Sequence, residues 1–589
     1  MIKTLGRSSV GLLVVAFFVA SSGLVSAQVL KYVRDDALVV IKVNNPQGIS
    51  DKAAAMAQKM GLANLNPGFA DPLSLLKEKL NLKAGIDFKG EAAVVVFRPP
   101  AGEREPRALA LIPVSDYKAF LGNFANVKKE GDADTFCIQP DGEAVFAVQW
   151  GTYAAVSPWK DLLLEQPTGL KVAGIVAKQY AEKDITAYLN MKPIREMVLP
   201  QVQGIRAEVA GMLVAQPGQA PGQAAFQRAM AMQIFDAVEA FLTQSQAAAL
   251  SMNLAPGGVA YTLSVHFLPD SGIGKAITGV SNTEANLITS LPKEKYLVFG
   301  GWVQNGPGMW ELHKAFYEKP IKAAMLGEAD TKAVADVLAA TEKMLTSTKS
   351  GEFGLIAPPQ GTGITPGLVR GILVMNGDAK TIQDSKRKSM AAQEVFMKAT
   401  GNQGLDLKVM SQATTKTIEG VQLDQFQMVF TIDPKSLPAA MQILQVLNGK
   451  GVTSLAGAVN DKTFVSTTSL DDAQVQAAIV AAKQSQSPLA SLDTIKAASE
   501  QLPKSRIAVG YIALDNILST AFDIAAQMGA AVPLKVPADL PPIGVSISSE
   551  GSTVRFDACI PSTLIENMVS LGMQAAMQQG TRRGLPAAP

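Results

Sequence analysis

Residues 544–572 read GVSISSEGSTVRFDACIPSTLIENMVSLG, a hairpin that runs directly into a helix. Glu550-Gly551 supplies the turn. Beyond it Val554, Phe556, Ala558 and Ile560 alternate with Thr553, Arg555, Asp557 and Cys559. Successive side chains of a strand point to opposite faces, so the first set predicts the covered face of a half-buried strand and the second its polar face. After Pro561, Ser562 offers a helix cap, and Leu564, Ile565, Met568 and Leu571 fall at helical spacing.

The same grammar recurs. Residues 251–277, SMNLAPGGVAYTLSVHFLPDSGIGKAI, place Tyr261, Leu263, Val265 and Phe267 on one face, and residues 421–444, VQLDQFQMVFTIDPKSLPAAMQIL, do so with Phe426, Met428, Phe430 and Ile432. ALALIPVSDYKAFLGNF, from Ala108, is a looser version. A second pattern is a strand, a polar break and a helix. It appears as VRDDALVVIKVNNPQGI from Val33, DITAYLNMKPIREM from Asp184, LPKEKYLVFGGWVQNGPGMWELHKAF from Leu291 and LPKSRIAVGYIALDNILSTAF from Leu502. Pro292 and Pro503 suit strand entry, because proline cannot donate to an interior ladder. These recurrences form a degenerate internal repeat. The fold class expected is α+β: repeated antiparallel β-sheet units with helices packed on one face, since a doubly wound parallel sheet needs strands apolar on both faces.

The expected organisation is a signal peptide (1–27), then α+β units at 28–180, 181–285, 286–400, 401–500 and 501–575, and a disordered tail (576–589). A Gln/Pro/Gly loop at 215–225 interrupts the second unit. The helix after it spaces Phe226, Met230, Ile234 and Val238 four apart, a stripe that either packs on its own domain or meets a partner or hydrophobic ligand.

Lys3 and Arg7 precede an apolar run from Val10 to Val25, and Val25-Ser26-Ala27 is a small-residue cleavage site. That is the layout of a secretory signal cut after Ala27, with an apolar stretch short for a retained membrane anchor. The chain is therefore expected to be exported, periplasmic or extracellular, with no membrane span after signal removal. The full chain carries 53 basic and 51 acidic side chains; losing Lys3 and Arg7 leaves 51 against 51, a net charge of zero. Long-range attraction to nucleic acid has no support in that balance. Two cysteines, Cys137 and Cys559, exclude a disulfide framework, and each sits in an apolar run that suits a buried thiol.

Sites of chemistry are sparse. The two histidines, His266 and His313, belong to no metal-spaced pair, and Asp471-Asp472 and Asp132/Asp134 read as turn or solubility residues. Ser157/Lys160 and Ser385/Lys388 match S-x-x-K, but no K-T-G-like strand accompanies them, and Ser157-Pro158 is a poor helix interior. NGKGVTS, from Asn448, lacks phosphate-loop spacing. Trp150, Trp159, Trp302 and Trp310 are dispersed, as core or rim residues are. No catalytic, cofactor-binding or metal residues are assigned.

The signal peptide, DDALVVIKVNNP, ALALIPVSDYKAFL and the LPK-strand-helix units together resemble a group of exported bacterial proteins of unknown function. The resemblance implies location and architecture and carries no catalytic residues. The function expected is an exported non-enzymatic cell-envelope protein, a scaffold or protein-binding surface. The alternatives are a binder of lipid or another hydrophobic ligand between sheet and helices, and an envelope-polymer hydrolase without a recognisable motif.

Overall fold

The structure, a computed structural model, describes residues 28–582 except 104, 139–143, 166, 173, 214–220, 324–326, 360–366, 401–404, 433–450, 528 and 530–533. The signal segment, most of the 215–225 loop and the end of the tail lie outside the described residues. The chain is an antiparallel α+β protein that divides into two compact units. The first unit takes residues up to 201, 242–274 and 550–570, and the second takes 202–241, 275–549 and 571 onward.

The first unit holds β1 (Val39–Asn44), β2 (Glu91–Phe97), β3 (Arg107–Pro113), β4 (Ala125–Glu130), β5 (Ala133–Cys137), β6 (Ala144–Trp150), β7 (Tyr153–Ser157), β8 (Ile185–Asn190), β9 (Ser245–Ala255) and β10 (Gly258–Phe267). The second holds β11 (Tyr296–Val303), β12 (Thr348–Ile356), β13 (Gly371–Gly377), β14 (Leu405–Ile418), β15 (Val421–Ile432), β16 (Val452–Ala458), β17 (Thr463–Thr468), β18 (Ala508–Ile512) and β19 (Ile543–Glu550). The last strand, β20 (Thr553–Pro561), belongs to the first unit and pairs with β10.

Read across the first sheet, the order is β4-β5-β6-β7-β3-β2-β1-β8-β9-β10-β20. Across the second it is β14-β15-β16-β17-β13-β12-β11-β18-β19. Adding ten to each strand number from β1 to β9 converts the first order into the second. One antiparallel plan is thus used twice.

The four strand-to-helix segments are the centres of these sheets. β1 leads into the helix Pro46–Lys59, β8 into Met191–Met212, β11 into Gly306–Ala323 and β18 into Leu514–Gln527. β1 pairs with β8, and β11 with β18. Antiparallel pairing therefore sets each strand-to-helix segment beside a partner running the other way. Pro46, at the first helical position, costs nothing there, because that N–H has no intrahelical partner.

Cross-strand residues decide how the core is distributed. In the first unit Val40, Ala93, Val95, Leu109, Leu111, Tyr153 and Ala155 form one buried cluster with Val29, Leu30, Val33 and the helix Gly174–Glu182. Val43, Ala92, Val94 and Leu254 form another with Ile49 of the helix Pro46–Lys59. In the second unit Phe426, Ala456 and Phe464 pack with Ala379, Ile382 and Met390 of the helix Ala379–Thr400, with Met428 against them. The side chains of Phe430 and Ile432 lie outside the described residues.

The faces of β10 and β20 match the sequence expectation only in part: Val265 and Phe267 are buried, as the alternation predicts, but their neighbours are not arranged so. Thr262, Ser264, Thr553, Asp557 and Cys559 are buried, whereas Tyr261, Leu263 and Phe556 are exposed at 38–42%. The buried polar row is tolerated because its hydroxyls are hydrogen-bonded, although Asp557 Oδ2 accepts no bond from a described residue. Thr262 Oγ1 donates to Asp557 Oδ1 at 2.8 Å, Gln179 donates to Ser264, and Thr186 and Ser251 hydroxyls lie 3.1 Å apart. Two further differences concern ends. A helix begins at Pro221, inside the expected 215–225 loop, and the last helix, Ser562–Arg582, runs past residue 576. Residues 221–225, PGQAA, put proline at the first helical position, where its missing N–H costs nothing, and residues 576–582, AMQQGTR, continue with the helix formers Ala, Met and Gln.

Candidate functional site

In the first unit Lys42 lies in the middle of β1, on the same face as Val40, and is completely buried. Its cross-strand partner is Ala93, so Glu91 at the start of β2 is the nearest acid along that face. Lys42 Nζ donates to Glu91 Oε1 at 3.2 Å and sits 4.6 Å from the centre of the Tyr180 ring. Burial pulls the Lys42 ammonium below its ordinary pKa, and Glu91 offsets part of that pull. Burial, and then the Glu91 charge, pushes the Tyr153 and Tyr180 phenols up. A buried ion pair of this kind keeps its charges only while both partners are present.

Above the pair opens a polar cavity of about 400 Å³. Gln28, Asn44, Asp87, Lys89, Glu91 and Tyr153 are among its lining residues. Val29 N–H donates to the second Glu91 oxygen, Oε2, at 3.4 Å. Asn44 is 2% exposed; its amide donates to the Ala181 and Lys183 carbonyls, while its Oδ1 accepts no hydrogen bond from a described residue. The cavity therefore presents carboxylate and amide oxygens, the chemistry that holds a cationic N–H donor.

The second unit has a larger cleft of about 730 Å³, bordered by Lys293, Lys295 and Tyr296 from the LPK strand entry and by Asp515 and Asn516 after β18. Two of its polar groups are already engaged. Asn516 donates to the Tyr296 carbonyl at 2.9 Å, and Asp515 Oδ2 accepts from Leu540 N–H at 3.2 Å.

The residues singled out by sequence fall in separate places. Phe226 is buried and Met230 half-buried, while Ile234 and Val238 are 61% and 40% exposed on the helix Pro221–Gln244. The polar side of that helix is pinned by Arg206, which pairs with Asp236 at 2.7 Å and Glu239 at 3.0 Å. Ser157 ends strand β7, donates to the Ala108 carbonyl and accepts from Trp159 N–H, while Lys160 pairs with Glu130. Ser385 is buried in its helix and Lys388 is exposed. Asp471 caps the helix Asp472–Gln484, and Asp134 accepts from Tyr117. His266 bonds Thr553 at 2.9 Å, and His313 packs between Trp310 and Tyr317. Trp150 and Trp159 pack against the first unit's core, and Trp302 lies beside Phe353. Both cysteines are thiols. Among the described residues, no group of three His, Cys, Asp or Glu side chains is placed to hold a metal ion. No helix among them is long and apolar enough to cross a membrane.

Lys42 and Glu91 were not among the residues that sequence patterns singled out. The available signal was a charge inside the apolar run VVIKV and another opening the run EAAVVVF. Their pairing depends on a register that neither run contains. No family model matches this chain, and no curated protein or solved structure does either.

Proposed function

We propose that this chain is an exported, non-enzymatic protein of the cell envelope, acting as a scaffold or protein-binding surface. The observation that carries the reading is a row of exposed apolar side chains across three neighbouring strands. Leu250 on β9, Leu263 on β10 and Phe556 on β20 are cross-strand partners, exposed at 48%, 38% and 42%. Tyr261 extends the row on the same face of β10. Large exposed apolar side chains in contiguous register mark interaction surfaces, and the opposite face of these strands already has its own polar cover. The spread of hydrogen-bonded Ser and Thr in the interior also suits a rigid support better than a reaction centre. The test is chemical crosslinking of the purified mature protein with envelope proteins, beside Leu263→Asp and Phe556→Asp. An adduct formed by the parent and lost in both variants supports the reading; no adduct from the folded parent removes it.

A hydrophobic ligand is the second reading, favoured by the exposure of Ile234, Val238 and Phe241 on one helix. Native mass spectrometry of the purified protein decides it. A co-purified apolar molecule that Ile234→Asp displaces supports it, and a ligand-free mass with no uptake of a fluorescent fatty acid counts against it.

A further inference from the structure

We propose that the cavity over Glu91 binds the α-ammonium group of this chain's own mature N-terminus, at Gln28, and that signal removal creates the ligand that completes the site. The occupant rests on the proposed cut after Ala27. Hydrolysis of the Ala27–Gln28 amide consumes one water, leaves a carboxylate on Ala27 and leaves an amine on Gln28 that takes up a proton. A neutral amide nitrogen thereby becomes a cation at a defined place.

That place is fixed by residues already described. Gln28 lines the cavity, and the next residue is anchored, with Val29 fully buried and its N–H donating to Glu91 Oε2. Consecutive residues are about 3.8 Å apart, so the Gln28 nitrogen lies within roughly 7 Å of that carboxylate. Leu30 and Val33 are buried as well, so the segment cannot swing away without opening the core. Asn44 Oδ1, buried and without a hydrogen-bond donor among the described residues, is a further acceptor at the cavity wall.

The second unit shows how the corresponding strand treats the corresponding segment. Glu352 lies on β12, which occupies the place of β2, and is 3% exposed. Its Oε2 accepts two consecutive backbone N–H groups from the segment leading into β11, Thr289 at 2.9 Å and Ser290 at 2.8 Å. Its other oxygen accepts the Thr289 hydroxyl at 2.9 Å. Glu91 receives one such amide, from Val29, together with Lys42. The nitrogen of Gln28 is the second consecutive donor, and as an ammonium it brings charge to a carboxylate shared with Lys42. The groups facing it are Glu91 on β2, Lys42 beneath, Asp87 and Lys89 in the loop before β2, and Tyr153 on β7.

The experiment uses the whole mature chain, released from an N-terminal fusion so that Gln28 is the first residue. It is compared with the same protein after glutaminyl cyclase treatment. In that step the Gln28 amine attacks its own side-chain amide, ammonia leaves, and the charge is lost as that side chain closes into a lactam, with residues 29 onward unchanged. In the parent, the amine should titrate above the ordinary range of about 7.7–8.0, and the cyclised form should melt at a lower temperature at pH 6. The gap should close as pH rises past the titration of the amine. Asp87 is exposed, so Asp87→Asn should fold and should move the amine's titration downward. An amine in the ordinary range, with both forms melting together at pH 6, overturns the site. The intact mass of the exported chain tests the cut separately: a chain starting elsewhere than Gln28 refutes the occupant, while the amine titration still judges the geometry.

Discussion

Asn44, at the end of β1, and Asn190, at the end of the antiparallel β8, each donate a side-chain amide to the backbone that leads into the other's strand. Asn190 Nδ2 reaches the Asp35 carbonyl at 2.8 Å, and Asn44 Nδ2 reaches the Lys183 and Ala181 carbonyls. Their backbone N–H groups repeat the exchange, Asn44 to Asp184 at 2.9 Å and Asn190 to Leu38 at 3.0 Å. The two strands are thereby fixed in register from both ends. Asn44→Ala and Asn190→Ala each leave part-buried carbonyls short of a donor, which costs about 0.5–1.5 kcal/mol per hydrogen bond lost. Urea unfolding should show a lower midpoint with an unchanged slope for each variant. Midpoints equal to the parent's would mean that the clamp contributes nothing.

The Lys42–Glu91 pair predicts an asymmetry between single and double changes. Glu91→Gln keeps the size of the side chain but strands a buried ammonium, a loss of about 3–5 kcal/mol for a broken buried pair. Lys42→Met combined with Glu91→Gln removes both charges, keeps an acceptor for the Val29 N–H and should recover part of that loss. Chemical denaturation of the parent, the two single variants Lys42→Met and Glu91→Gln, and the double variant measures the cycle. Additive losses in the double variant would show that the two side chains act independently.

Buried phenols set the alkaline limit. Burial raises Tyr153, Tyr180 and Tyr296 above the ordinary tyrosine value of 10.0, with nearby carboxylate charge adding to it. The unfolded chain ionises these groups near pH 10 while the folded chain holds them protonated. Their stabilising contribution is therefore complete below about pH 10 and is lost as pH rises towards the folded values. Absorbance at 295 nm should show these tyrosines ionising only together with unfolding. A smooth titration of all nine tyrosines near pH 10 in a protein that stays folded would contradict this.

The cysteines should separate by reactivity. Cys559 is fully buried on β20, and burial pushes its thiol up to about 11. Cys137 is half-buried at the end of β5. Iodoacetamide at pH 8 should modify Cys137 first, and Cys559 only after denaturant is added, because the thiolate is the reactive form. Equal labelling of both in the folded protein would show that β20 is not held against β10 as described.

Local pattern carried much of this fold. The four strand-to-helix segments could be read because Pro46, Asn190 and the LPK entries punctuate alternation on one side and helical spacing on the other. The antiparallel α+β class followed from strands with one apolar and one polar face. Which face is buried followed only in part: Val265, Phe267 and Phe426 are interior as read, but others are not. Hydrophobicity assigns Tyr261, Leu263 and Phe556 to the interior, yet Thr262, Ser264 and Asp557 take it, because their partners Gln179 and Thr262 arrive from other strands and from a helix. Such satisfaction is a long-range fact. Residue 264 is 85 positions from its partner Gln179, and Glu91 is 49 from Lys42. The candidate site was invisible for the same reason, since each of its members reads alone as an ordinary strand residue.

Hydroxyl-radical labelling read by mass spectrometry, with and without envelope proteins, tests the binding face most directly. In the isolated protein Tyr261 and Phe556 should be oxidised readily while buried Phe120 and Phe426 are spared, and added envelope proteins should protect the first pair alone. Tyr261 and Phe556 as resistant as Phe120 in the isolated chain, or as reactive with envelope proteins as without them, would contradict the account.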